Sequence, residues 1–272
     1  MAPNILLSND DGIYAPGIRA LAIAMDKRNW DVTIVAPSLQ RSGEGKAITF
    51  DIPIRVEEIS LSYRNGNTGW RTTGTPADAV IFGAHARQEQ NFPPFDLVVS
   101  GINAGENCSV HSVLTSGTCA VAFESALLGL PAIAFSIDVS EELFFNENAW
   151  IPGLEVAAET ACIIIEKVLE EGGLPEGVAF LNVNFPASIS PDTPIEICRM
   201  ALTKYRDFTI KREDPRGIPY YWIWGDTITV PEDTDVFAVL TKKITSVTPI
   251  TLDLDARNAS EIGTGLEYLT NL

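Results

Sequence analysis

Short, almost continuous apolar runs alternate along the chain with longer segments whose apolar residues recur at helical spacing. Asn4 to Leu7 predicts a first strand. Residues 15–27, APGIRALAIAMDK, predict a helix: Pro16 suits its first turn, and Ile18, Leu21, Ala22 and Met25 share a face. DVTIVA at 31–36 is a β-branched run stopped by Pro37 and predicts a second strand, and less regular strands are expected at 48–59 and 68–73. Thr75-Pro76-Ala77-Asp78 opens a helix reaching about Arg87, with Thr as N-cap, Pro at N1 and an acid at N3. FDLVVS at 95–100 predicts a buried strand, and a loop rich in Gly, Asn and Ser spans 101–117. CAVAFESALLG predicts a helix ending at Gly129; PAIAFS, a helix over 152–170 and the strand AFLNVNF complete the alternation.

Alternation of this kind predicts an α/β fold, with a mostly parallel sheet and helices on both faces. The pattern changes after residue 190, where YYWIW sits among turns such as DPRG and WGD. A core over 1–190 is therefore expected, followed by a β-rich extension over 191–272 with a hairpin arm. A short helix near 234–243 and a C-terminal helix after Asn258 are expected within the extension. An arm carrying YYWIW either mediates self-association or packs on its own domain.

Composition narrows the function. The net charge is −17, so the chain should repel nucleic acids and anionic membranes. A site for a phosphate-bearing ligand then needs local positive potential from a metal or a helix N-terminus. Cys108, Cys119, Cys162 and Cys198 form no C-x-x-C pair and predict reduced thiols in a cytoplasmic protein. No signal peptide is expected, and no run of roughly 18 apolar residues predicts a membrane span.

In open parallel sheets ligands bind beyond the carboxyl ends of the strands. Those positions hold Asn9, Asp10, Asp11 and Gly12 after the first strand, and Gln40, Arg41, Ser42 and Gly43 after the second. Gly101, Asn103, Gly105 and Asn107 follow FDLVVS. Asp10, Asp11, Ser42 and Asn103 supply hard oxygen donors, which suit Mg²⁺, Mn²⁺ or Ca²⁺ better than zinc. So few protein ligands leave positions for water or substrate, as metal-assisted hydrolysis requires. Ser116-Gly117-Thr118 stands at a predicted helix N-terminus, a ready anion site. Each piece has a plain alternative: NDDG as a turn, Ser-Gly-Thr as a cap, the Asn and Gly residues as left-handed backbone, Arg41 as a surface charge. Their convergence on one sheet edge favours a site. His111 lies in the same loop and is a candidate proton donor, whereas His85 reads as packed or partly exposed in the middle of an apolar helix. No G-x-G-x-x-G, P-loop or G-x-S-x-G pattern is present.

The segments LLSNDDGIYAPGI, VAPSLQRSGEGKAIT, TGTPADAV, DLVVSGINAGEN, TSGT, LGLPAIAFS and LNVNFP, with DPRG, YYW and SVTPI, span nearly the whole chain. In this order they resemble the SurE family of stationary-phase survival proteins, metal-dependent nucleoside monophosphate phosphatases. The resemblance implies a Rossmann-like core with a swapped or extended C-terminal arm, and homodimers or homotetramers. It implies one divalent ion per subunit, Mg²⁺ or Mn²⁺ with Ca²⁺ as a structural substitute, at Asp10, Asp11, Ser42 and Asn103. It also implies phosphate contacts at Asn107, Ser116, Gly117 and Thr118. Nucleoside 5′- and 3′-monophosphates and short polyphosphate are the implied substrates, with Asp10 or Asp11 as proton acceptor or nucleophile. The segment CSVHSVLTSGT departs from the family pattern, being one residue longer with Thr115 before the Ser, and Gly45 and Lys46 replace a small polar pair. The altered loop should border the leaving group. Two other classes fit the same residues: a nucleotide- or phosphate-binding module without turnover, and a metal-dependent glycosyltransferase-like enzyme.

Overall fold

The apolar runs become the interior of one twisted sheet, because a strand buried on both faces needs apolar residues throughout rather than at alternate positions. The computed structural model describes residues 2–64, 68–144 and 149–255. In chain order the strands are β1 (Asn4–Ser8), β2 (Asp31–Pro37), β3 (Val56–Ser60), β4 (Thr68–Thr72), β5 (Leu97–Ala104), β6 (Ala132–Ile137), β7 (Phe180–Phe185), β8 (Ile195–Ile197), β9 (Tyr205–Glu213), β10 (Pro219–Thr227) and β11 (Thr245–Ile250). The helices are α1 (Pro16–Asp26), α2 (Pro76–His85), α3 (Arg87–Gln90), α4 (Val110–Thr115), α5 (Gly117–Leu127), α6 (Glu141–Phe144) and α7 (Leu154–Glu170), with a π-helical turn at Phe237–Lys242.

Among the described residues, nine strands form a sheet in the order β3-β4-β2-β1-β5-β6-β7-β11-β8. The pairs from β4 through β7 are parallel. At the edges β3 runs antiparallel to β4 and β11 antiparallel to β7. The fold is thus α/β with a mostly parallel sheet, as the alternation implies. Leu7, Val99 and Phe135 point to one face with Ile18, Leu21 and Met25 of α1 and Ala157, Ala161 and Ile165 of α7. Leu6, Val98 and Ala134 point to the other with Ala79 and Val80 of α2 and Val121 and Ala122 of α5. This alternation within each run gives the sheet a helical layer on either side. At α2 the Thr75 hydroxyl accepts the Asp78 N–H at 3.1 Å, and Asp78 accepts the Thr75 N–H at 2.9 Å, a complete capping box.

The chain leaves β1 toward β2 and β4, then returns to place β5 on the other side of β1. That reversal opens a crevice at the carboxyl ends of β1 and β5. Several local expectations are revised. Residues 48–55 are not strand, so β3 is confined to Val56–Ser60. Strand β5 continues through Ala104, and helix α4 lies within the expected 101–117 loop. His85 ends α2 rather than lying mid-helix, and it is exposed. The hairpin arm is the antiparallel pair β9–β10, and the helix expected near 234–243 is the π-helical turn. The C-terminal helix expected after Asn258 lies outside the described residues. SVTPI forms β11 and brings the chain after residue 190 back to the core sheet.

One buried acid ties that returning segment to the crevice. Asp235 accepts the N–H groups of Ser109 at 2.8 Å, Ala201 at 2.9 Å and Val236 at 2.8 Å. Burial pushes its carboxyl up, and the same three N–H bonds oppose the shift. Asp235→Ala strands three buried donors and should cost about 3 kcal/mol or more in urea unfolding. A loss below about 1 kcal/mol would mean that water takes over the acceptor role.

Candidate active site

At the crevice, three turns and one helix end meet. The turn after β1 is fixed from two sides. Asn9 Nδ2 donates to the Gly12 carbonyl at 2.9 Å, and the Arg41 N–H donates to the Asp10 carbonyl at 2.7 Å. The second bond anchors the loop after β2 against the first turn. The Gly45 N–H donates to the Thr115 carbonyl at 3.0 Å, so the same loop reaches the start of α5. Ser42 is thereby held across a cavity of about 610 Å³ whose wall also includes Asp10, Asn103, Asn107 and Ser116.

Asn103 owes its position to an irregularity. The β5–β6 register shifts between Ser100 and Asn103, and such a bulge re-aims the side chains that follow it. The Asn103 amide nitrogen donates to the Gly105 carbonyl at 2.5 Å, which leaves its Oδ1 as the group it can offer a cation. Asp11 joins the two strand ends: its carboxylate accepts the Ala104 N–H at 3.2 Å and the Gln40 amide at 3.5 Å. It lines a small adjoining cavity with Gln40 and Ala104 rather than the main one.

Asp10 is only 3% exposed. Its carboxylate accepts the Thr118 hydroxyl, and among the described residues no Lys or Arg forms an ion pair with it. Burial pushes its carboxyl up, opposed by the hydrogen bonds of Thr118 and the Gly117 N–H. Gly117 is required by close approach: a Cβ there would stand 2.6 Å from the Asp10 Cβ. Gly117 and Thr118 therefore lie behind Asp10 and hold it, and neither lines the main cavity. Ser116 caps α5, its Oγ accepting the Cys119 N–H at 3.1 Å. Its hydroxyl proton remains available to a ligand in the cavity. Asn107 is pinned by three bonds: its N–H to Asn184 at 2.7 Å, its amide to Ser136 at 2.9 Å, and its carbonyl from Asn182 at 2.8 Å.

A hard cation fits this donor set. It is all oxygen, it contains a buried carboxylate without a cationic partner among the described residues, and Asn9 Oδ1 in the same turn is a buried acceptor with no donor there. Among the described residues no group of three or more His, Cys, Asp or Glu side chains could hold a metal ion, so a cation here would depend on hydroxyl and amide oxygens beside the carboxylates. All four cysteines are buried free thiols, and burial pushes that of Cys119 up to about 12.

A model of the family described as survival protein SurE matches residues 5–207. The chain belongs to this family. The match covers the three turns, the start of α5 and the first residues of the hairpin arm. Two relatives carry the name 5′-nucleotidase SurE: that of Methanothrix thermoacetophila is 42% identical, across 93% of this chain and 94% of its own. That of Thermococcus kodakarensis is 43% identical, across 93% of this chain and 94% of its own. The crystal structure of the SurE protein from Aquifex aeolicus is similar at a TM-score of 0.79 and 36% identity, covering 98% of this chain and 100% of that one.

Among the lining residues that the sequence did not single out are Glu106, Asp138, Lys204 and Tyr205. Lys204, 7% exposed, pairs with the Glu106 carboxylate, and its ammonium also donates to the Glu106 carbonyl at 3.2 Å. Burial pulls the Lys204 ammonium down, but the Glu106 carboxylate and the Tyr205 phenol group reverse this and the net shift is upward. Asp138 directly follows β6, so the strand-end rule would have found it had it been applied to that strand. Lys204 and Tyr205 come from the segment assigned to the extension, and nothing local marks them. His111 lines the same cavity from α4.

Proposed function

We propose that this protein is a divalent-metal-dependent phosphomonoesterase, hydrolysing nucleoside 5′-monophosphates to nucleoside and phosphate. The observation that carries this reading is the buried Asp10 carboxylate, facing an oxygen-lined cavity without a cationic side-chain partner among the described residues. The names of its SurE relatives support the substrate class. Asp10, Ser42 and Asn103, which share the main cavity, would hold one Mg²⁺ or Mn²⁺, with Ca²⁺ as a structural substitute, and Asp11, on the adjoining cavity, would join them as the fourth ligand. When bound, the ion polarises a phosphate oxygen and offsets the charge that builds on the phosphoryl group.

The remaining work falls to the chain. Ser116 donates its hydroxyl to the phosphate at the N-terminus of α5, where the helix dipole favours an anion. Asn107 borders the phosphate, held by Ser136, Asn182 and Asn184 so that it need not reorganise during reaction. Gly117 and Thr118 serve the phosphate indirectly, by orienting Asp10. One of the two carboxylates, Asp10 or Asp11, takes the proton of the attacking water. His111, on the cavity wall, would protonate the departing alkoxide. The same site takes 3′-monophosphates and short polyphosphate, as the family resemblance implies. The hairpin arm, with Tyr221 and Trp222 about 60% exposed, serves homodimer or homotetramer assembly.

A phosphate-release assay across 5′-AMP, 3′-AMP and tripolyphosphate, each with Mg²⁺, Mn²⁺ or EDTA, tests the proposal. Release from 5′-AMP that EDTA abolishes and Mn²⁺ or Mg²⁺ restores is expected. Nucleotide binding by calorimetry with no release from any ester would instead identify a binding module.

A further inference from the structure

The cavity wall also contains two carboxylates, Glu106 and Asp138. A carboxylate beside a phosphate dianion raises the energy of binding unless the neutral, donor-bearing part of the ligand meets it. Glu106 is neutralised by Lys204. Asp138 is compensated more loosely: Lys243 stands 3.9 Å away at the outer limit of an ion pair, and Lys204, already paired with Glu106, acts on it as well. Its backbone is fixed, the N–H donating to the Phe185 carbonyl at 2.8 Å, and the Ala187 N–H donates to its carboxylate. The side chain is half-buried and keeps acceptor capacity toward the cavity. Next to it the wall turns apolar, with Val139, Leu240 and the ring of Tyr205.

A neutral group with two adjacent donors, followed by a flat apolar group, is the chemistry of ribose and base. Carboxylates accept from ribose hydroxyls in other α/β folds. Resting on the phosphomonoesterase reading above, we propose that Asp138 reads the 2′,3′-diol of a nucleoside 5′-monophosphate, with Val139, Tyr205 and Leu240 bordering the base. Asp138 is then a specificity-determining residue. It favours ribo- over deoxyribonucleotides, and 5′- over 3′-monophosphates, because a 3′-phosphate removes one hydroxyl of the diol.

The test compares kcat/KM for 5′-AMP, 2′-deoxy-5′-AMP and para-nitrophenyl phosphate in the full-length wild type, Asp138→Asn and Asp138→Ala. The wild type should prefer 5′-AMP over its deoxy analogue by about tenfold, through KM. Asp138→Ala should bring that ratio near one, and Asp138→Asn, which keeps one acceptor, should give an intermediate ratio. An unchanged ratio in Asp138→Ala overturns the proposal. So does an equal loss on 5′-AMP and para-nitrophenyl phosphate, which would mark a merely structural role. If the wild type releases phosphate from no ester, the phosphomonoesterase reading fails by itself. Calorimetry with adenosine and 2′-deoxyadenosine then decides the Asp138 role: tighter adenosine binding that Asp138→Ala abolishes supports it, and equal binding of the two nucleosides overturns it.

Discussion

Replacing Asp10 with asparagine should lower phosphate release from 5′-AMP by at least about 10³-fold, while the chain still folds. The substitution keeps the size of the side chain and one acceptor oxygen for the Thr118 hydroxyl. It removes the negative charge that a hard cation requires. Stability measurements separate this from a folding defect. In EDTA the Asp10 carboxyl of the folded chain is pushed above its ordinary 3.8 by burial. Such a group contributes stability that is fully present below 3.8 and lost as pH rises through the folded value. At pH 7 the charge therefore destabilises the metal-free wild type, and the asparagine variant lacks it. The metal-free variant should melt at or above the wild type at neutral pH, with the gap closing as pH falls toward 3.8. Mn²⁺ should raise the melting temperature of the wild type and leave the variant almost unmoved. Full turnover in the variant would remove Asp10 from the site.

The second large effect is expected at Gly101. An alanine Cβ would stand 2.2 Å from the Phe135 carbonyl oxygen and 3.2 Å from the Asn103 nitrogen. Both neighbours are backbone, so neither can swing aside. The residue also has φ +121°, a conformation that side chains disfavour. Gly101→Ala should cost about 3 kcal/mol or more in chemical unfolding, combining overpacking with backbone strain. Because the bulge after Ser100 aims Asn103, folded protein recovered at low temperature should also show a raised Mn²⁺ requirement. A variant with wild-type unfolding free energy would show that β5 can re-register without the glycine.

Much of this was legible along the chain. Thr75 and Asp78 announced their helix because a capping box is made within four consecutive residues. The interiors of β1, β5 and β6 were visible because the apolar run of a strand covered on both faces has no polar phase. Asp10, Ser42 and Asn103 could be placed together because parallel connectivity forces successive strand ends to one edge of the sheet. The continuation of β5 through Ala104 was hidden by the glycine in SGIN, which reads as loop although it forms a bulge within a strand. Helix α4 is only six residues long, too short for a periodic pattern to emerge.

By itself, then, the chain determined the alternation of elements, the sheet with two helical layers, and the oxygen character of the strand-end turns. These follow from local periodicity and from the one edge to which parallel strands deliver their ends. Only the tertiary structure decided that Gly117 and Thr118 stand behind Asp10, that Asp11 bridges to Ala104, and that β11 re-enters the sheet beside β7. It alone brought Lys204 to Glu106, 98 residues away, and Asp235 to Ser109, 126 residues away. Such pairings depend on which surfaces remain unsatisfied after the core has packed. No window of neighbouring residues contains that information.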